Sequence, residues 1–524
     1  MTPIKEMSQR LKHFSACAGV VSVYALVTLP IILNFPPVWP DEVNLYQPAA
    51  ALARGQGMGT AVLAGFLPGI GQHTYWQPPG YFFFLSLVLR FVPVAHHFVA
   101  MRLFSWILGV VALLLGASIL KRFAHGIGWG WLGLLVLATQ VSFIQAANVG
   151  RMEMLSLVCT LAALNWYLAF RENPRRHLLA GASLMSGLAM VCHPVGILAA
   201  IVIAVHELAA PQNREGKVKE VVLFLVCLLA PFVPWLIYIA QAPGMFSAQM
   251  LAQSARKSVS LGAMLTTDGF EHWFLQPFED AIWPLRHPLG GPWPFTSMTA
   301  VTVQILMLGV GLAALLHEGR RHVEASLLGS WALAGYGIHL FLPEFWYAIH
   351  FSAPCCLLLG WVVAGSSRRL VRTLALVTLV LAAVLNLDTA KSLWDISQGG
   401  RQRYKLYCSN LARSIPPHSS VLLAAIPDPY FGLVNTGRDY RFYEFVPDGV
   451  PVEKGKVEDA LGRVDYVVGS ICCEPEYLMS YLLAHGTATV DIGGWSFVSP
   501  PVTIWKLRAP VSIQARQLDS VDDK

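Results

Sequence analysis

The chain has 524 residues and a formal net charge of +6; 55% of it is hydrophobic and only 13% charged, against roughly 25% charged in an ordinary soluble domain. That balance excludes a soluble globular enzyme. The positive charge does not point to nucleic acid, because the basic residues sit in short loops between apolar runs, where membrane topology puts them.

A run of roughly 18 or more apolar residues crosses ~30 Å of hydrocarbon at about 1.5 Å per residue. In chain order such runs predict spans near 14–34, 99–120, 127–147, 153–170, 178–192, 195–210, 221–240, 297–316, 325–343, 346–365 and 372–389. The first run has no small-residue cleavage site after it and continues into Phe35-Pro36-Pro37-Val38-Trp39, so it reads as a retained anchor rather than a signal peptide. The expected fold class is an all-α polytopic membrane protein of about eleven spans with a small α/β domain at its C-terminus.

Orientation follows from loop charge. The clusters Lys5/Arg10/Lys12, Lys121/Arg122, Arg171/Arg175/Arg176, Arg214/Lys217/Lys219, Arg320/Arg321 and Arg368/Arg369/Arg372 all fall on one side of this topology, which makes that side the cytoplasm. The alternation requires that Tyr81 to Val94 does not cross. That stretch is short and carries Arg90, so it is expected to be a re-entrant or interfacial helix. The outward segments are then residues 35–98, the turn Asn148–Met152, the loop 241–296 and everything after about 390. The expected division is a membrane domain, 1–389, and an outward α/β domain, 390–524.

In the C-terminal domain Val421–Ile426, Tyr466–Gly469 and Val502–Lys506 read as strands, and Pro475–His485 as a helix capped by Gly486. No glycine-rich phosphate loop follows any of these strands, which speaks against a nucleotide site. The nine cysteines form no zinc pattern; Cys408 has Cys472 or Cys473 as a possible disulfide partner on an oxidising side.

The residues able to do chemistry sit in the outward segments. Asp41 and Glu42 follow the first span, in Trp39-Pro40-Asp41-Glu42. Carboxylates at that place can take a proton from an attacking hydroxyl or bind a metal; equally, they can cap the helix that follows. Glu153, in Gly150-Arg151-Met152-Glu153, lies on the same side as Asp41, either as part of a shared site or in an interfacial pair with Arg151. Arg256 and Lys257 are candidates for phosphate binding or a solvated basic pair. The aromatic residues Phe270, His272, Trp273, Phe274, Trp283 and Trp293 suit a membrane-interface belt better than sugar stacking.

Several of these stretches together resemble a known superfamily. They are Trp39-Pro40-Asp41-Glu42, Gln77-Pro78-Pro79-Gly80 ahead of a short apolar helix, Ala147-Asn148-Val149-Gly150-Arg151-Met152-Glu153, and Leu179 through Gly187 to His193-Pro194. In order and in common side they are similar to the GT-C membrane glycosyltransferases, with protein O-mannosyltransferases, lipid A aminoarabinose transferases and rhizobial lipopolysaccharide sugar transferases as the expected relatives. The resemblance covers roughly residues 10–210 motif by motif. It implies a sugar donor carried on a polyprenyl phosphate, presented on the outer face of a bacterial inner membrane. It further implies an acceptor hydroxyl (glycolipid, glycan or protein) activated by Asp41, with inversion at the anomeric carbon. Glu42 and Glu153 would position substrate or an optional divalent ion (Mg, Mn, Ca or Zn). Phosphate would fall to Arg151, Arg256, Lys257 and His350. The chain departs from the aminoarabinose transferases at Trp76-Gln77, where they carry an acidic residue and a lysine, and His73 is the nearest substitute. It has His350-Phe351 where many relatives have Arg-Tyr.

Two other classes fit a polytopic chain. A secondary transporter should show an internal repeat and ionisable residues at mid-membrane, and neither is evident in the sequence. A non-catalytic scaffold requires that Asp41 be dispensable.

Overall fold

The computed structural model describes residues 3–123, 130–209, 214–257, 267–282, 295–319, 322–342, 344–398, 400–445, 454–470, 476–492 and 502–507. The chain divides into two compact units. The first comprises Met1–Pro36, Gln77–Pro243 and Lys257–Gln398; the second comprises Pro37–Trp76, Gly244–Arg256 and Gly399–Lys524.

In chain order the helices are α1 (Pro3–Thr28), α2 (Pro40–Ala53), α3 (Gly80–Leu89), α4 (His97–Phe123), α5 (Trp131–Thr139), α6 (Val141–Asn148), α7 (Glu153–Glu172), α8 (Arg176–Cys192) and α9 (Ile197–Ala209). They continue as α10 (Arg214–Leu229), α11 (Val233–Ala240), α12 (Pro243–Lys257), α13 (Thr267–Asp280), α14 (Phe295–Glu318), α15 (Val323–Phe341), α16 (Ile349–Gly365) and α17 (Arg369–Ser397). Four more follow in the C-terminal region: α18 (Gly400–Ser414), α19 (Tyr430–Val434), α20 (Lys454–Leu461) and α21 (Glu476–His485).

The first unit is helical and apolar on its outside. Leu26, Phe91, Val226, Ile237, Leu316, Leu370 and Val384 are all exposed, as lipid-facing side chains are in a membrane bundle. Among the described residues six helical stretches are long and apolar enough to cross a membrane: Val94–Arg122, Glu153–Glu172, Val218–Gln241, Met298–Glu318, Phe345–Gly365 and Arg369–Asp395. A seventh is formed if α5 and α6, bent by 57° at Gln140, count as one. The sequence expectation of a straight span over 127–147 misses this bend. Nothing in that apolar window announces the break, because the compensation comes from elsewhere: Asn386 of α17 donates to Val136 O at 3.1 Å, a carbonyl at the break. Helix α3 has only ten residues, about 15 Å of rise, half of what a crossing needs.

Two close approaches set the geometry of one end of this unit. A Cβ on Gly80 would stand 2.8 Å from Val191 O, so only glycine lets the Pro78-Pro79-Gly80 entry of α3 lie on the end of α8. A Cβ on Gly335 would stand 2.5 Å from His350 O, so glycine again lets α15 cross the start of α16. Arg102, fully buried in α4, donates to Ile32 O and Pro36 O, both at 2.9 Å, and fixes the exit of the first helix. Donation to carbonyls is one way to bury an arginine cheaply.

The second unit carries a five-stranded mixed sheet of β1 (Ser420–Ala424), β2 (Arg441–Glu444), β3 (Tyr466–Ser470), β4 (Gly486–Ile492) and β5 (Val502–Leu507). The order is β2-β1-β3-β5-β4, with β1 parallel to β2 and β3, and β5 antiparallel to β3 and β4. Three of these strands and α21 match the sequence expectation. Strands β2 and β4 do not, since Arg441–Glu444 is short and polar-flanked, and Gly486 opens β4 directly instead of only capping α21. Val421, Leu422, Val467, Val468 and Ile504 form the interior of the sheet. The unit also takes in α2 with the loop up to Trp76, and most of α12. Gln249 of α12 holds that loop: it accepts Tyr75 N–H at 2.7 Å and donates to His73 O at 2.9 Å and Pro68 O at 3.0 Å.

Candidate functional site

Each unit gathers its own set of ionisable side chains. In the first, they lie at one end. Helix α7 begins and α8 ends there, and so do the end of α15 and the start of α16; the basic loops around Arg171–Arg176 and Arg368–Arg372 lie at the other ends of the same helices. The turn Asn148–Met152 delivers Arg151 to Glu153. The guanidinium donates to Glu153 Oε1 from Nη2 at 2.8 Å and from Nε at 3.1 Å, and it lies over the Trp346 ring at 4.4 Å. Both residues are buried, so the pair must hold together: a charge left alone there would cost several kcal/mol.

Three histidines extend this pair. His193 follows α8, and its Nδ1 accepts Val195 N–H at 3.1 Å, which leaves the neutral ring's proton on Nε2, 3.9 Å from Glu153 Oε1. The ring packs on Tyr347 (4.9 Å between centroids) and alongside His350 (6.1 Å). His339, near the end of α15, is hydrogen-bonded through Nε2 to Asp280 Oδ2 at 2.7 Å, and Gln276 donates to the other Asp280 oxygen at 2.6 Å. His339 and His350 are each 1% exposed, and neither His339 Nδ1 nor His350 Nε2 has a hydrogen-bond partner within the described residues. The carboxamides of Gln145 and Asn148 on α6 are equally buried, with neither amide atom partnered. A buried polar atom left so costs about 1–3 kcal/mol.

In the second unit the carboxylates come together. Glu42, fully buried in the first turn of α2, accepts Trp39 N–H at 3.2 Å, which is the helix-capping arrangement; Asp41 beside it is half-buried. The turn after β1 is held near this helix start, because Asp428 N–H donates to Val38 O at 2.8 Å. Asp428 Oδ1 accepts Tyr430 N–H at 2.7 Å, and Gln47 of α2 and the Tyr430 hydroxyl are 2.5 Å apart. Tyr46 adds ring contacts with Tyr430 and Phe431. Glu444, at the end of β2, is 1% exposed, and among the described residues no N–H or hydroxyl donates to either of its oxygens. Its neighbours are the Asp428 carboxyl and, at longer range, Asp41. Burial and then Asp428 push the Glu444 carboxyl well above the usual range, so Glu444 holds the proton that the pair shares and donates it to Asp428. Burial pushes Asp428 itself up to about 6, with Glu42 adding to the rise.

Of the residues singled out in the sequence, Arg151, Glu153 and His350 lie together in the first unit; Asp41, Glu42 and His73 belong to the second. His73 stacks on Tyr75 at 5.8 Å and contributes its carbonyl to Gln249. Arg256 and Lys257 close α12, and their side chains lie outside the described residues. So do Cys472, Cys473, Trp283 and Trp293 and the side chains of Phe270, His272 and Trp273. Phe274, an exposed side chain, makes ring contacts with Phe278 and Tyr336. Cys408 is a buried free thiol under Gly432. Among the described residues no three His, Cys, Asp or Glu side chains come together in an arrangement able to hold a metal ion.

The sequence reading named His193 only within a motif and gave it no role at the site, and it passed over His339, Asp280, Asp428 and Glu444. A signal existed for His339, since an ionisable side chain near the end of an apolar run is a candidate by default. For Asp428 and Glu444 there was none, as they meet only through the parallel pairing of β1 with β2.

No protein-family model matches the sequence, and neither does any curated protein. Solved structures do. The chain superposes on ArnT from Cupriavidus metallidurans bound to undecaprenyl phosphate with a TM-score of 0.59, at 13% identity, over 93% of this chain and 97% of that one. The chain shares the fold of that structure. A second such structure, the archaeal oligosaccharyltransferase AglB from Archaeoglobus fulgidus in complex with an inhibitory peptide and a dolichol phosphate, matches at a TM-score of 0.54 and 13% identity, over 88% of this chain and 70% of that one. The six apolar helices among the described residues that are long enough to cross a membrane, or seven with the bent pair, make this a multi-pass membrane protein.

Proposed function

We propose that the protein is a glycosyltransferase that moves a sugar from a polyprenyl-phosphate donor to an acceptor hydroxyl. The observation that carries this reading is a GT-C fold over nearly the whole chain, shared with a protein solved with undecaprenyl phosphate bound. In this reading Asp41 accepts the proton of the acceptor hydroxyl as its oxygen attacks the anomeric carbon. The bond from that carbon to the phosphate oxygen breaks, and the configuration inverts. Glu42 holds the turn that presents Asp41, Glu153 holds Arg151, and Arg151, Arg256, Lys257 and His350 meet the charge of the donor phosphate. No step is routed through a divalent metal.

The reaction is proposed for the outer face of a bacterial inner membrane, with residues 390–524 outward and helping to select the acceptor. Six basic loops on one side support that orientation. Reporter fusions after Arg176 and after Lys506 should give opposite signals, and matching signals would end this topology. The activity itself is tested with the full-length protein in lipid nanodiscs, supplied with radiolabelled undecaprenyl-phosphate hexoses and an envelope-glycolipid extract. Label should move to the extract. A folded protein that transfers none of the panel and binds no undecaprenyl phosphate would overturn the proposal.

A further inference from the structure

The buried amides of the first unit are not all alike. Deep in the bundle they are used: Asn386 donates to Val136 O at 3.1 Å, and Asn165 donates to Leu161 O at 2.9 Å and Leu115 O at 3.0 Å. At the end where Arg151 and the histidines collect, they are not. Gln145 is 1% exposed and Asn148 is fully buried, and among the described residues of this unit these two are the carboxamides with neither atom partnered. Gln77, 6% exposed, leaves its Oε1 without a donor.

Their placement is shared. Gln145 and Asn148 are one turn apart at the end of α6, which packs against the segment Phe345–Ala348 and the start of α16, with Ser142 Oγ and Ser352 Oγ 2.8 Å apart. Asn148 leads straight into Arg151, whose guanidinium covers Trp346. Gln77 opens the segment whose Gly80 lies on Val191, next to His193, and the His193 ring stands on Tyr347.

We infer that Gln145 and Asn148, with Gln77 beside them, form the subsite that reads the hydroxyl groups of the transferred sugar, and that this sugar is neutral. A carboxamide offers a donor and an acceptor side by side, and vicinal hydroxyls return one of each. A phosphate dianion has no donor for the amide oxygens, and a lipid tail has neither. Charge decides the rest. Among the described residues Glu153 is held by Arg151 and Asp280 is hydrogen-bonded to the His339 ring, so the two buried carboxylates of this end already have partners, and the unpartnered groups left for the sugar are the neutral amides, which suit hydroxyls rather than an ammonium or a carboxylate. The inference rests on the polyprenyl-phosphate reading above and adds the part of the donor that these residues recognise.

The test measures binding of bare undecaprenyl phosphate and of undecaprenyl-phosphate glucose, mannose, galactose, glucosamine and glucuronic acid to full-length protein in nanodiscs. Wild type should bind one neutral-sugar lipid at least about tenfold more tightly than the bare lipid. Gln145→Met and Asn148→Leu keep shape and remove the amide. Each should lose about 3–10-fold of that sugar-dependent gain, as expected for one lost hydrogen bond to a neutral group, while affinity for the bare lipid stays put. Their thermal unfolding temperature should hold or rise, because each loses an unsatisfied buried amide. Equal weakening toward bare and sugar-bearing lipids would make the amides structural and overturn the inference. So would full retention of the sugar-dependent gain, or a wild type that prefers the amino or acidic sugar. Absence of any lipid binding or transfer by wild type would instead remove the transferase reading itself.

Discussion

The two units bury ionisable groups by opposite means. In the first unit each buried group meets one of opposite polarity: Arg151 pairs with Glu153, Asp280 is hydrogen-bonded to the His339 ring, and Arg102 donates to two carbonyls. In the second, Asp428 and Glu444 are buried against each other, two groups of the same sign, with Glu42 and Asp41 close enough to push them further. A matched pair is held by its own attraction and breaks expensively when one member goes. A like pair survives only by keeping a proton, so its strength depends on pH. The first arrangement builds a rigid polar end in an apolar bundle; the second makes the surroundings of Asp41 responsive.

The comparison breaks most visibly at Asp41. Asp41→Asn keeps size and most hydrogen bonding but removes the basic oxygen. Sugar transfer from a purified polyprenyl-phosphate donor should fall about 10²–10⁴-fold with folding and donor binding intact. Near wild-type turnover would take Asp41 out of the mechanism.

In the first unit the larger effect is on stability. Arg151→Ala strands Glu153 and should destabilise by about 3–5 kcal/mol, read as a lowered unfolding temperature in detergent. The double variant Arg151→Met with Glu153→Leu should recover most of the loss. If the single variant is neutral, the pair is not what holds this end.

The carboxyl pair predicts a pH dependence of definite sign. Both folded-state values are raised, so the folded protein keeps protons that the unfolded chain releases above about pH 4. The stabilisation is therefore complete below about pH 4 and is lost as pH rises through the folded values, about 6 for Asp428 and well above the usual range for Glu444. Between pH 4.5 and 8 the unfolding transition should weaken by an amount on the order of 1–3 kcal/mol. Glu444→Gln, neutral at every pH, should flatten that slope. An unchanged slope would show that the pair does not share a proton.

The smallest effect expected is at the contact with α2. Tyr430→Phe deletes the hydroxyl that meets Gln47 at 2.5 Å and keeps the rings on Tyr46 and Phe431. A loss of about 1 kcal/mol is expected, and accelerated hydrogen exchange in residues 40–47 would localise it.

The membrane character, the basic-loop pattern, the short helix after Pro79 and most of the C-terminal strands were legible in the sequence, because hydrophobic run length and period are local properties. So was the family resemblance, carried by Trp39–Glu42, Gln77–Gly80 and Gly150–Glu153, and the fold shared with ArnT and AglB agrees with it. Other features depend on partners distant in the chain. The bend at Gln140 is compensated by Asn386, 246 residues on. Strand β2 is paired through β1, and α2 belongs to the same compact unit as the C-terminal sheet. The character of the charges was of this second kind. Arg151 and Glu153 are neighbours, and the sequence could offer their pairing as one of two readings. That His339 meets Asp280, that Glu444 meets Asp428, and that the amides of Gln145 and Asn148 find no hydrogen-bond partner among the described residues was decided by tertiary packing. Desolvation and hydrogen-bond satisfaction depend on everything that surrounds an atom, and the one-dimensional order of residues does not contain that surrounding.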